Sequence, residues 1–268
     1  MKAESEQKLL SQLSVSRKIS LKEAMELLDI SESTARRLFA RLERTGAVIR
    51  THGGIQSITP EDLPYSFEAL ARTNVEKKTA IGRAAVEFVE DGDVLFCDSG
   101  TTIQCFCAAL AQRLQSQPLH IQVYTNSLAN LEMLAPYMSV HLVGGEYRAN
   151  RKDFCGALTE KALRSLSFTK SFFGADGCVQ GTRLTATDRK TAKLNEIALR
   201  NSQRTFMLVD SSKFTVSSQV AYTLIRGTHT IITDSGIAKD TVEQLNSTHV
   251  QLICVEPELP ADGADPAL

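Results

Sequence analysis

The sequence predicts an α/β protein in two parts, an N-terminal winged helix-turn-helix domain followed by a doubly wound, largely parallel sheet domain. Three observations predict this. Residues 20–55 hold two short amphipathic helical patterns, a glycine stop and an alternating ribbon. Between Lys77 and Glu256, apolar runs of strand length alternate with helix-length segments, the pattern of a parallel sheet covered on both faces. At 268 residues the chain is long enough for one small module and one larger domain with a sizeable core.

The first helix of the pair opens at Ser20, three residues before Glu23, a capping-box spacing. Leu21, Ala24, Met25 and Leu28 then mark one helical face. Asp29-Ile30-Ser31 breaks the period and offers Ser31 as a new N-cap. In the second helix Ala35, Leu38, Phe39 and Leu42 form the buried stripe, while Ser33, Arg37, Ala40, Arg41 and Arg44 point away from it. Gly46 suits a left-handed helix stop. Val48–His52 alternates as a strand, and Gly53-Gly54 turns it back. Leu9, Leu10 and Leu13 suggest a preceding helix that completes a three-helix core.

A recognition helix needs cations and short polar groups on its exposed face, because phosphates bind cations and base edges bind donors. The DNA-contact candidates are therefore Ser33, Thr34, Arg36, Arg37 and Arg41 on the second helix, with Arg50 and His52 on the ribbon. Arg36 has a second reading: it follows Glu32 by four residues, the spacing of an intrahelical ion pair. Residues 31–56 hold five arginines against Glu32 and Glu43, although the whole chain carries a net charge of −1. Affinity for nucleic acid must come from this local patch.

The expected division is a DNA-binding domain over 1–57, a linker over 58–76 broken by Pro60 and Pro64, an effector domain over 77–256, and a flexible tail over 257–268. The helical spacing of Ile81, Ala84, Ala85, Phe88 and Val89 precedes the sheet. The expected strands are Val94–Cys97, Ile121–Thr125, Val140–Val143, Ser171–Ala175, Thr205–Val209, Thr230–Thr233 and Val250–Val255.

Ligands of such sheets bind beyond the carboxyl ends of the strands. The segments there are polar. Asp98, Ser99, Gly100, Thr101 and Thr102 follow the first run and lead into a helix, whose amino end favours an anion. Asn126 and Ser127 follow the second run, Gly144, Gly145 and Arg148 the third, Asp176 the fourth, and Asp210-Ser211-Ser212-Lys213 the fifth. Each segment alone also reads as a turn with an N-cap, and Lys213 alone as a solvated charge. Together they predict one polar ligand site.

Residues 20–55 resemble the N-terminal domain of DeoR-family bacterial transcriptional regulators, through Arg36-Arg37, the leucine-rich helix end Leu38–Leu42 and His52-Gly53-Gly54. The family has an acidic residue after the arginine pair, where this chain has Leu38. Asp98–Thr102, Thr125-Asn126-Ser127, Gly144-Gly145 with Arg148, and Asp210–Phe214 resemble the family's effector-domain motifs, and Arg72, Lys78 and Ile81-Gly82 its helix before the sheet. The resemblance spans about residues 5–255. It implies a fold shared with ribose-5-phosphate isomerase, glucosamine-6-phosphate deaminase and coenzyme A transferases, and phosphorylated sugars as effectors. Thr185, Asp188 and Ala192 fit the family, while Thr191 and Asn195 replace its usual Glu and Lys.

The expected partners are double-stranded operator DNA, a phosphorylated sugar and a second copy of the chain, since two-fold dimers read paired half-sites. No cofactor or metal is expected. Cys97, Cys105, Cys107, Cys155, Cys178 and Cys254 lie mostly in apolar runs without zinc spacing. A polar start and the lack of a long apolar run predict a cytoplasmic protein with no membrane partner. The rival class is a sugar-phosphate isomerase. Gly174-Ala175-Asp176 resembles those enzymes, and Asp98, Asp176 and Asp188 supply carboxylates, but the Glu-Lys pair that follows in the isomerases is absent.

Overall fold

The structure is a computed structural model that describes residues 2–44, 48–57 and 65–257. The chain forms two compact units, Met1–Pro64 and Tyr65–Leu268. Gly46, Pro60, Pro64 and the segment beyond Pro257 lie outside the described residues.

The first unit runs α1 (Lys2–Ser16), β1 (Lys18–Ser20), α2 (Leu21–Leu28), α3 (Glu32–Arg44), β2 (Val48–Thr51) and β3 (Gly54–Ser57). Ser20 forms the full capping box. Its hydroxyl accepts from the Glu23 N–H at 3.2 Å, and its own N–H donates to Glu23 Oε2 at 2.7 Å. Asp29 ends α2 in the left-handed region at φ 52°. Ser31 precedes α3, but its hydroxyl bonds those of Ser33 at 3.2 Å and Thr34 at 3.0 Å. Ala35, Leu38, Phe39 and Leu42 are buried as their spacing predicts. Leu38, Phe39 and Leu42 pack with Leu9, Leu13, Ala24, Val48 and Ile55, whereas Leu10 sits on the outer side of α1. The ribbon gains a third strand, since β1 pairs antiparallel with β3 and sets Ile19 opposite Ile55. A three-residue run is too short to carry a period-2 signal.

The second unit opens with α4 (Phe67–Ala71) and α5 (Val75–Val86). Then come β4 (Val94–Cys97), α6 (Thr101–Ser116), β5 (Gln122–Thr125), α7 (Leu128–Leu134) and β6 (Val140–Leu142). A hairpin of β7 (Glu146–Arg148) and β8 (Asp153–Cys155) leads to α8 (Ala157–Arg164) and β9 (Phe168–Phe173). After β10 (Gly177–Val179) and β11 (Arg183–Ala186) follow α9 (Arg189–Arg200), β12 (Ser202–Leu208) and a 3-10 turn, Ser211–Thr215. The chain closes with β13 (Val220–Leu224), β14 (His229–Asp234), α10 (Lys239–Ser247) and β15 (Gln251–Val255).

All seven expected apolar runs enter one sheet, of order β15-β14-β12-β9-β4-β5-β6. Every pairing in it is parallel. Side chains alternate between two cores. Leu95, Cys97, Phe172, Phe206, Leu208 and Ile232 face one core with Ile81, Ala85 and Phe106 of α5 and α6. Phe96, Phe173, Met207 and Ile231 face the other with Leu163 of α8, Leu194 and Ile197 of α9 and Leu245 of α10. Burial on both faces explains why these strands read as continuous apolar runs. Helices α5 and α6 approach closely at Gly82, where a Cβ would lie 2.7 Å from the α6 backbone at Cys105 and Phe106.

The strand order fixes where a ligand can sit. From β4 the chain winds through β5 and β6 toward one edge, then returns to β9 on the other side of β4 and continues to the opposite edge. The loops after β4 and β9 therefore leave in opposite directions and open a crevice between the two carboxyl ends. A small antiparallel sheet, β10-β11-β13, stands apart from the parallel sheet. Its strands, GCV, RLTA and VAYTL, are not the continuous apolar runs that marked the parallel sheet. Ahead of the sheet, Tyr65 and α4 belong to the second unit.

Candidate functional site

The crevice between β4 and β9 opens into a cleft. Its first wall is the loop from β4 into α6. Gly100, Thr101 and Thr102 line it, and no side chain caps α6, so the first-turn N–H groups lack that partner. That amino end favours an anion. Across the crevice stands Gly174, and a Cβ on Gly100 would lie 3.7 Å from its Cα, in ordinary van der Waals contact. Lys213, from the turn after β12, lines the same cleft, as does Lys78 of α5.

Asp98 lies on the cleft wall, almost wholly buried. Burial pushes its carboxyl up to about 6, against the N–H bonds of Ser99 and Gly174 that favour the charged form. Asp176 accepts from the Thr187 N–H at 2.8 Å and hydroxyl at 2.6 Å, and from Arg151 Nη2 at 3.3 Å. Tyr222 of β13 donates its hydroxyl to the Gly174 carbonyl at 2.5 Å, which ties the small sheet to the β9 end.

Arg151 is the most constrained cation of the cleft. Its side chain is 6% exposed, lies over the Tyr65 ring at 3.6 Å, and approaches Asp153 at 3.7 Å and Asp188 at 3.8 Å. Its Nε and Nη1 are buried without a hydrogen-bond partner. Such donors are rare in a finished interior and ask for an acceptor. The cleft thus offers a helix amino end and lysines near Lys78 and Lys213, and a mixed acid-guanidinium group near Arg151 and Asp176. A phosphate suits the first and hydroxyl groups suit the second.

Other predicted site residues support the walls. Ser99 donates to Asp153 Oδ2 at 3.0 Å. Asn126 donates to the Phe154 carbonyl at 3.1 Å and so pins the β7–β8 hairpin to β5. Ser127 caps α7 by accepting from the Asn130 N–H at 3.2 Å. The Gly144 carbonyl accepts from Thr159 at 3.0 Å, and a Cβ on Gly145 would lie 2.1 Å from the same hydroxyl. Arg148 makes a bidentate pair with Asp153 at 2.8 and 2.6 Å and reaches Asp188 and Thr191, each at 2.9 Å. None of these six lines the cleft. Tyr65, Leu70, Lys78, Arg151 and Tyr222 do, and sequence reasoning missed them as site residues. Thr191 and Asn195, the two departures from the family pattern, line it as well.

In the first unit, Ser33, Thr34, Arg36, Arg37 and Arg41 are exposed along α3, His52 is exposed at the wing turn, and Arg50 is half-buried on β2. Arg36 pairs with Glu32 at 2.7 Å, which meets its second reading. Arg37 Nε donates to the Ser33 carbonyl at 3.3 Å. Arg41 pairs with Glu6 of α1.

Two family models match the chain. One, described as a DeoR-like helix-turn-helix domain, matches residues 6–61. The other, described as a DeoR C terminal sensor domain, matches residues 73–235. The lactose phosphotransferase system repressor of Lactococcus lactis subsp. lactis is 32% identical over 249 residues, covering 90% of this chain and 94% of the relative. The HTH-type transcriptional regulator IolR of Bacillus subtilis (strain 168) is 26% identical, covering 87% and 91%. Among solved structures, ribose 5-phosphate isomerase A from Methanocaldococcus jannaschii is 20% identical, covers 53% of this chain and 55% of that one, and superposes with a TM-score of 0.41. Both matched domains occur in the order that the two units have here, and the chain belongs to the DeoR family of regulators.

Proposed function

We propose that this chain is a repressor of sugar-metabolism genes, binding operator DNA as a dimer or tetramer, with its affinity set by a phosphorylated sugar in the β4–β9 cleft. The carrying observation is the uncapped amino end of α6, turned to a cleft that also holds Lys78, Lys213 and Arg151. In this reading the phosphate sits on Gly100–Thr102 with the lysines, and the hydroxyls of the sugar meet Asp98, Asp176 and Arg151. Relatives named as lactose phosphotransferase system repressors support the regulatory half. The exposed α3 face, with Ser33, Thr34, Arg36, Arg37 and Arg41, supports the DNA half.

A thermal-shift screen of phosphorylated and unphosphorylated sugars tests the ligand. A compound that binds only the folded state, at a hundredfold excess over its Kd, raises stability by about 2.7 kcal/mol. The stabiliser should need its phosphate, and Thr101→Asp should abolish its effect by placing a like charge where the phosphate belongs.

A second reading, a sugar-phosphate isomerase, has one observation in its favour. Asp98 is held at about 6 in a ligand cleft, a value suited to moving a proton near neutral pH. A direct aldose–ketose isomerisation assay on the purified chain separates the two. Turnover that disappears in Asp98→Asn would favour the enzyme.

A further inference from the structure

Helix α9 presents two polar residues to the cleft, one turn apart on one face. Thr191 and Asn195 both line it, and they are 5% and 2% exposed. The other side of α9 is apolar, with Ala192, Leu194 and Ile197 packed into the core.

The two residues differ in what their polar atoms do. The Thr191 hydroxyl is committed to the scaffold. It accepts from Arg148 Nη2 at 2.9 Å and donates to Asp188 Oδ2 at 3.0 Å. Asn195 is not committed. Its carboxamide carries two donors and an acceptor, and among the described residues it makes no hydrogen bond. Buried polar groups in a finished interior are almost always bonded, and leaving one unmet is costly. The cleft is the one polar space that Asn195 borders, so its partner must come from there.

Charge narrows the partner. Thr191 and Asn195 are both neutral, so the α9 wall offers no counter-ion. The charged groups of the cleft stand on other walls. Lys78 and Lys213 lie with the amino end of α6, and Asp176 holds Arg151 at 3.3 Å. A carboxylate or an ammonium placed against Asn195 would exchange its water for a neutral amide, which is expensive. A hydroxyl suits the amide on both counts. It donates to Oδ1 and accepts from Nδ2.

We propose that Asn195 is the specificity residue of the cleft, reading a hydroxyl of the sugar at the end remote from its phosphate, and that this chain therefore selects neutral sugar phosphates over phosphorylated sugar acids and amino sugars. The proposal rests on the phosphorylated-ligand reading above and deepens it. The lysines and the α6 end serve the phosphate, and the uncharged α9 wall serves the group that tells one sugar phosphate from another. A site built to bond a hydroxyl rejects an analogue without it far more strongly than an apolar pocket rejects an extra methylene.

The test uses the full chain and calorimetry with four probes: inorganic phosphate, glucose 6-phosphate, 6-phosphogluconate and glucosamine 6-phosphate. The wild type should bind glucose 6-phosphate at least about tenfold more tightly than either charged analogue. Asn195→Ala removes the carboxamide without adding a charge. It should weaken glucose 6-phosphate about tenfold and leave inorganic phosphate unchanged, a split that damage to the fold would not give. Asn195→Asp supplies a counter-ion and should move glucosamine 6-phosphate to first rank. If the Asp variant does not fold, the Ala variant still decides. Wild-type affinity for glucose 6-phosphate in Asn195→Ala, an equal loss for inorganic phosphate, or a wild type that binds the charged analogues as tightly as glucose 6-phosphate overturns the proposal while leaving the ligand reading intact. Binding of no phosphorylated probe to the wild type removes both.

Discussion

The Arg151 guanidinium lies over the Tyr65 ring, its Cζ 3.6 Å from the ring centroid. Tyr65 is the first described residue of the second unit, and Arg151 lies in the turn that joins β7 to β8. The pair therefore closes one end of the cleft with a residue from the very start of the domain. Stacking suits a planar guanidinium and not an ammonium.

Replacing Arg151 should consequently affect both fold and ligand. Arg151→Met leaves Asp176 without its cation, and breaking a buried pair costs about 3 kcal/mol. Urea unfolding should show that loss. Arg151→Lys should recover part of the stability but not the ligand affinity, because Nε and Nη1, which no hydrogen bond satisfies, go with the fork. A Lys variant that binds phosphorylated sugars as the wild type does would remove Arg151 from the site.

On α3, Arg37 should contribute most to sequence readout, since Arg36 and Arg41 already hold carboxylates. Arg37→Ala should weaken operator binding by about 1–3 kcal/mol if it reads a base with two hydrogen bonds. Wild-type operator affinity in that variant, measured by fluorescence anisotropy across a salt series, would sink this docking.

Glu6 makes the opposite expectation. Its pair with Arg41 is largely exposed, and such pairs contribute about 0–1 kcal/mol to stability. Glu6→Gln removes a negative charge beside α3 and releases Arg41. Operator affinity should rise, with a stability change below about 1 kcal/mol. The salt dependence should steepen by about one released counter-ion. Unchanged affinity and slope would mean that Arg41 does not meet the backbone.

Asp98 should give the second unit a pH dependence. Its carboxyl is raised from an ordinary 3.8 to about 6, chiefly by burial. The folded state therefore binds the proton more tightly than the unfolded one. The stabilising contribution is full below about 4 and is lost as pH rises through about 6, on the order of 3 kcal/mol in all. Asp98→Asn should flatten this fall in chemical denaturation between pH 4 and 7, as these values bracket the change. Ligand affinity should decline over the same window, since an ionised Asp98 repels a bound anion. An Asn variant with the wild-type pH profile would place the titration elsewhere.

Operator and effector should also be linked reciprocally. If a sugar phosphate weakens operator affinity by some factor, operator must weaken sugar-phosphate affinity by the same factor, typically about 1–3 kcal/mol. Calorimetry with and without saturating operator measures this at fixed salt. Equal ligand affinities in the two titrations would detach the cleft from regulation.

Legibility in the sequence followed the range of the interactions. The parallel sheet was readable because burial on both faces makes Val94–Cys97 or Thr205–Val209 an apolar run by itself. The α6 wall was readable because Gly100-Thr101-Thr102 sits between a strand and a helix within one loop. Arg151 and Tyr65 were not, since Arg151 belongs to none of the strand-end motifs and Tyr65 lay in a stretch read as linker, and only the fold stacks them. Ser99, Asn126 and Arg148 stand in the recognised motifs, yet Ser99 and Arg148 bond a carboxylate of the walls and the Asn126 amide nitrogen a backbone carbonyl. Motif matching cannot separate the two roles, because polar groups at strand ends must also be satisfied by the scaffold.

The small sheet β10-β11-β13 comes from two separate excursions of the chain, one after β9 and one after β12. It supplies Thr185, Ala186 and Tyr222 to the cleft without contributing a strand to the parallel sheet. Diversification of the chain can therefore recast that wall for a new effector while the scaffold stays as it is. The two excursions must change in concert, because β11 and β13 share a ladder with a register shift at Leu184/Thr185. Recombinants that inherit both from one parent should be the ones that acquire that parent's inducer preference.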